Sequence, residues 1–155
     1  MTDDERAAAP IYFYSTTDEH GYMSNFARYP IRLKGKRWAT TEHYFQAMKF
    51  EGTPHEDEVR EASSAKEAAS RGRDRKRPLR RDWESVKDDV MREAVRAKFA
   101  QHPEIAERLL STGETKLVEK TTGDHYWGCG SSGSGKNMLG VILMEVRAEL
   151  RASRA

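Results

Sequence analysis

Helix signals follow one another so closely between Thr40 and Gly113 that this part of the chain reads as a succession of short helices. Thr40 stands where an N-cap belongs, just before Thr41–Phe50. Thr53-Pro54-His55-Glu56 combines a cap hydroxyl, proline at the first helical position and glutamate three residues on, which is a capping box. Ser64-Ala65-Lys66-Glu67 repeats the arrangement, and Gly72 is expected to end that helix. Asp82 opens the longest one, with Trp83, Val86, Val90, Ala94 and Ala97 at helical spacing on its core side. Pro103 starts another, turning Ile105, Ala106, Leu109 and Leu110 inward, and Gly113 stops it.

Strand signals are few and short. Ile11-Tyr12-Phe13-Tyr14 is an apolar, aromatic run with the character of a buried strand, and Tyr29–Trp38 reads as a hairpin around Lys34-Gly35. Thr115–Glu119 reads as a strand, Thr122-Gly123-Asp124 as a turn, and His125-Tyr126-Trp127 as the returning strand. A Gly/Ser loop runs from Gly128 to Gly135, and a closing helix from Met138 to Leu150. The expected class is α+β: a mainly α-helical single domain with a few short strands over residues 11–150, a disordered tail over 1–10 and a C-terminal tail over 151–155.

The 155 residues suit one domain, and 37% hydrophobic content with recurrent aromatics does not suit a disordered chain. Lys and Arg number 27 against 25 Asp and Glu, so any polyanion would be met by local clusters and not by overall charge. One cysteine, Cys129, excludes an internal disulfide and a thiolate-rich zinc site. No apolar run nears the 18 or so residues that span a membrane, and no secretory segment follows the start. A cytoplasmic protein is expected, with no membrane partner, no cofactor and no metal: His20, His43, His55, His102 and His125 show no ligand spacing.

Four constellations suggest chemistry. On a helix over Thr41–Phe50, Glu42, Gln46 and Lys49 form one polar row, with positions 42 and 49 within roughly 20° of each other and about 10 Å apart. That row suits either a grip on a polar ligand or a solvated ion-pair face. Arg71–Arg81 packs seven basic side chains into eleven positions, a pattern suited to phosphate. Gly130–Lys136 has the spacing G-x-x-x-x-G-K of a phosphate-binding loop, but Asn137 follows where Mg²⁺ coordination requires Ser or Thr. Too few residues remain for the further strand–helix units of such an enzyme, leaving a glycine-rich loop, a lysine and a helix N-terminus as an anion site. Asp124 sits at a turn beside Tyr126 and Trp127, suited to stacking a flat base or simply to making the turn.

Taken in order, Ile11-Tyr12-Phe13-Tyr14-Ser15, Ser24-Asn25-Phe26, Thr41–Gln46, Gly72-Arg73-Asp74-Arg75, Leu79–Trp83, Tyr126-Trp127-Gly128 and Gly135–Gly140 resemble the motifs of the NADAR family. Within it the chain is most similar to the bacterial N-glycosidases of riboflavin intermediates, from about Ile11 to Glu149. One position departs: Cys129 stands where some relatives carry an acidic residue, so it is given no catalytic role.

The resemblance implies hydrolysis of the C–N bond between ribose 5-phosphate and an aminopyrimidine, releasing ribose 5-phosphate. Glu42, Lys49 and Asp124 are then the expected catalytic residues: Glu42 at the sugar, Asp124 near the base, and Lys49 as a Schiff-base nucleophile if water does not attack directly. Trp83 and Trp127 are expected to flank the base, Arg71, Arg73, Arg80 and Lys136 to hold the phosphate, and Asn25, Gln46 and Asn137 to contact the substrate. Two rivals stand beside this expectation. One is an ADP-ribosyl hydrolase acting on guanine in nucleic acid, and the other a noncatalytic nucleic-acid-binding module built on the arginine cluster. The oligomeric state has no signal in the sequence.

Overall fold

Short strands, six helices and two 3₁₀ turns account for the regular structure of residues 9–154, which the computed structural model describes. The strands are β1 (Ile11–Phe13), β2 (Ile31–Leu33), β3 (Lys36–Trp38) and β4 (Leu117–Glu119). The helices are α1 (Thr41–Ala47), α2 (Pro54–Arg60), α3 (Ala65–Arg73), α4 (Trp83–Gln101), α5 (Pro103–Ser111) and α6 (Met138–Ser153). This is the mainly helical α+β class expected. Of the expected N-terminal tail, residues 1–8 lie outside the described residues, and α6 continues to Ser153, past the expected end at Leu150. The chain divides into two compact units: Asn25–Gln101, and the preceding residues joined with His102 onward.

The Asn25–Gln101 unit is built on the β2–β3 hairpin and α1 to α4. Lys34 and Gly35, both at positive φ, turn the hairpin, which pairs Ile31 with Trp38 in antiparallel register. Trp38 is fully buried, donates from Nε1 to the Leu33 carbonyl at 3.0 Å and meets Tyr44 edge to face at 5.1 Å. The expected caps are present. The Thr40 hydroxyl accepts from the His43 N–H, Thr53 from His55 and Ser64 from Glu67. In the second of these the glutamate's return bond goes to the Gly52 N–H, one residue before the cap. Gly72 does not end α3, contrary to expectation. It is helical and buried one residue from the end, because its Cα packs directly on the side chain of Gln46. The α4 stripe is largely as read, with Trp83, Val90, Ala94 and Ala97 buried and Val86 half-buried.

In the other unit β1 pairs with β4 in parallel, Ile11 opposite Leu117 and Phe13 opposite Glu119. Phe13, Leu117, Leu139, Ile142 and Leu143 are all buried here, together with Ile105 and Leu109 from α5. Gly113, at φ +67°, terminates the α5 turn as expected.

His125-Tyr126-Trp127 is not a returning strand. One carboxylate oxygen of Asp124 accepts from the N–H groups of both Tyr126 and Trp127 at 2.9 Å, curling the backbone into a turn. The carbonyls of Tyr126 and Trp127 then accept from Met138 and Leu139 and so cap the start of α6. The helix needs that outside capping because Asn137, its left-handed N-cap residue at φ 53°, spends its amide elsewhere. The amide donates to the Leu117 carbonyl and accepts from the Glu119 N–H, both at 2.9 Å, lying along β4 as a neighbouring strand would.

Candidate active site

Within the Asn25–Gln101 unit, α1 carries its polar row on a buried face. Glu42 and Gln46 are both buried, and the Gln46 amide donates to the Glu42 carboxylate at 2.7 Å. The backbone is fixed there too, since the Glu42 N–H donates to the Asn25 carbonyl at 3.2 Å. The Asn25 side chain is itself buried. It accepts from the Thr41 hydroxyl at 2.8 Å and turns its NH₂ to Met91 Sδ at 3.4 Å. Lys49 lies one 3₁₀ turn further on, half-buried, its ammonium 3.3 Å from the Gly72 carbonyl and 5.9 Å from the centre of the Trp83 ring. Trp83 packs edge to face on Phe45 at 5.1 Å.

This setting alters the lysine. Burial pushes Lys49 below the ordinary lysine range, Glu42 opposes the shift, and Arg73 reinforces it. A larger fraction of Lys49 is therefore the nucleophilic amine at neutral pH than on an open surface. Nearby, a cleft of about 660 Å³ is lined by Lys66, Ser70, Arg71, Arg73, Asp74 and Arg77. Arg71 is anchored to Glu67 at 2.7 Å and to the Glu58 carbonyl at 2.6 Å, and Arg77 to Glu58 and Asp74. Arg80 is tied to Asp82, Glu51 and the Met48 carbonyl, while its N–H donates to the Lys49 carbonyl at 3.0 Å. Its guanidinium is engaged by the Asp82 and Glu51 carboxylates and the Met48 carbonyl.

In the other unit, Lys136 places its ammonium 5.4 Å over the Tyr126 ring, and Tyr126 meets Trp127 edge to face at 4.9 Å. The start of α6 is not the open anion site expected from sequence, because the carbonyls of Tyr126 and Trp127 occupy its first N–H groups. Tyr12, Tyr14 and Lys120 line a separate concavity of about 750 Å³ against the Gly130–Gly133 loop. Among the described residues no three His, Cys, Asp or Glu side chains gather as metal ligands, and no helix is long and apolar enough to cross a membrane.

The NADAR domain model matches residues 12–151, running through both units. The chain belongs to the NADAR family. It is 56% identical to N-glycosidase YbiA of Escherichia coli (strain K12), over 90% of this chain and 88% of that one. The NMR structure of E. coli YbiA superposes with a TM-score of 0.87 at 53% identity, covering 95% of this chain and 88% of the other. A riboflavin biosynthesis protein of Vibrio vulnificus, VVA0006, is 42% identical over 92% of this chain and 39% of its own length.

Set against its sequence, this NADAR chain divides the residues singled out beforehand. Asn25, Glu42, Gln46, Lys49, Arg73 and Trp83 come together in one unit, joined by hydrogen bonds, ring packing or mutual charge. Asp124, Trp127, Lys136 and Asn137 gather in the other, where Asp124 secures a turn and Asn137 secures β4. Sequence reasoning passed over Gly72, Thr41, Lys66 and Arg77. The first two carry no chemical signal of their own. Lys66 was hidden inside a capping motif, and Arg77 was one of several equivalent arginines.

Proposed function

We propose that the bond this N-glycosidase cleaves joins ribose 5-phosphate to the exocyclic amine of an aminopyrimidine, an early and reactive kind of riboflavin precursor. The observation that carries the reading is the pairing of Glu42, clasped by Gln46, with a half-buried Lys49 held below the ordinary lysine range. The riboflavin name borne by the Vibrio relative supports the substrate class. In this reading the cleft at Lys66, Ser70, Arg71 and Arg73 receives the phosphate, close enough for Arg73 to act on Lys49.

A glycosylamine opens to an imine at C1, and the Lys49 amine adds to that carbon. Proton transfer to the pyrimidine nitrogen lets the aminopyrimidine leave as a neutral amine, with C1 now double-bonded to Nζ of Lys49. Water adds to C1, the C1–Nζ bond breaks, and ribose 5-phosphate departs as the aldehyde. Glu42 stabilises the positive charge on the C1–nitrogen unit and takes a proton from the attacking water. No step of this proposal is assigned to Asp124, Trp127 or Lys136. Asn137 and Arg80 are left out, their polar groups being engaged within the chain.

The deciding experiment offers purified protein the ribosylamino-pyrimidine phosphate and, separately, an ADP-ribosylated oligonucleotide, each with and without borohydride. Free ribose 5-phosphate in the first arm, with a reduced adduct on the peptide carrying Lys49, supports the reading. Turnover of the oligonucleotide alone overturns the substrate. Turnover of the pyrimidine compound with no adduct at Lys49 overturns the covalent route.

A further inference from the structure

We propose that Gly72 is the positioning residue of the cleavage site, its bare Cα seating Gln46 against Glu42 and its carbonyl holding Lys49. The proposal rests on the reading of Glu42 and Lys49 as the reacting pair. Three observations converge on this one position near the end of α3. The Gln46 amide donates to Glu42 at 2.7 Å, the Lys49 ammonium donates to the Gly72 carbonyl at 3.3 Å, and the Gln46 side chain fills the space a residue-72 side chain would occupy. A Cβ at 72 would stand 2.1 Å from Gln46 Oε1, 2.7 Å from its Cβ and 2.8 Å from its Cδ. Turning the end of the amide does not relieve that overlap, because Gln46 Cβ is fixed to the α1 backbone.

Gly72 is not there for a turn, since its φ is not positive and it lies within α3. Glycine in a helix is less favourable than alanine, so close approach is what this glycine provides. The approach also fixes which way the amide faces. Gln46 Oε1 is buried against Gly72 without a hydrogen-bond partner, and the NH₂ is left to face the carboxylate. The reverse orientation would set the amide oxygen against Glu42. An unpaired buried carbonyl is unfavourable, a cost consistent with the amide serving the carboxylate and not its own best hydrogen bonding.

The test compares Gly72→Ala, Gln46→Gly and the double variant, with Glu42→Gln as a reference, in ribose 5-phosphate release and melting temperature. Gly72→Ala is expected to lower kcat tenfold or more with KM changed far less. Gln46→Gly should show the same split between kcat and KM. The double variant should be no slower than Gln46→Gly alone, because the added methyl then meets neither the amide nor the Cβ of residue 46.

Wild-type kcat in Gly72→Ala would overturn the proposal, as would losses that multiply in the double variant. If Gly72→Ala does not fold, the double variant measured against Gln46→Gly decides: equal kcat supports the coupling, and a further tenfold loss refutes it. Full activity in Glu42→Gln removes the cleavage reading itself. Non-additive melting temperatures among the other three would then still report the packing of residue 72 on residue 46.

Discussion

Glu42 shows what a single residue contributes here. Its carboxylate is buried beside an amide donor on a helix whose first turn also carries a cap bond, so its position is set by α1 and not by the solvent. Replacing it with glutamine changes neither size nor shape but removes the charge. Turnover is expected to fall by about 10²–10⁴-fold, while melting stays within a few degrees of wild type. Steady-state release of ribose 5-phosphate and a thermal scan measure both. The row of Glu42, Gln46 and Lys49 was legible in the sequence because helical periodicity alone aligns residues four and seven apart. Gly72 was not. Its value lies in an approach to a side chain 26 positions away, and nothing local distinguishes it from a helix-ending glycine.

At the scale of elements, the start of α1 carries a titratable group within its cap. The Ala62 carbonyl can only accept, so His43 Nε2 bears the proton, and Nδ1 receives the Thr40 hydroxyl at 2.8 Å. Burial pushes His43 below the ordinary histidine value of 6.5, with the Ala62 bond opposing. Its folded value lies below its unfolded one, so the unfolded chain binds the proton first. The contribution of His43 to stability is therefore expected to be intact above pH 6.5 and to drop as pH falls through that value, until the folded histidine also titrates. Chemical denaturation in buffers from pH 7.5 to 5, compared with His43→Gln, should show the drop in wild type and a flatter response in the variant.

A second element test concerns β4. Asn137→Ala removes two bonds to the strand backbone and is expected to lower stability by about 2–3 kcal/mol. Asn137→Gly keeps the left-handed backbone accessible and isolates the amide's share, so melting of the two variants separates backbone from side chain. Caps at Thr40, Thr53 and Ser64 were readable because three or four residues determine them. The pairing of β1 with β4 was not readable, since its partners are more than a hundred residues apart and each is only three residues long.

For the whole molecule, the fully buried Lys98 gives stability a second dependence on pH. Burial holds it down to about 7 against 10.5 in the unfolded chain. Because the unfolded lysine protonates first, the contribution of Lys98 to stability falls as pH drops from 10.5 towards 7. Lys98→Met should remove this slope and raise the melting temperature at neutral pH, an outcome read by scans of both proteins across pH 7–10. A sequence read residue by residue yields the helical class and the family motifs, but not the division into two units, because Ser24 and His102, where the chain changes unit, carry no break in composition. One further consequence belongs at this scale. A strand flank with open amides and carbonyls invites other polypeptides to dock, and that is how many proteins begin to form fibres. Along β4 the Asn137 amide and the Cys129 N–H already answer the outward groups of Leu117 and Glu119, so that flank offers a neighbouring molecule no template to copy.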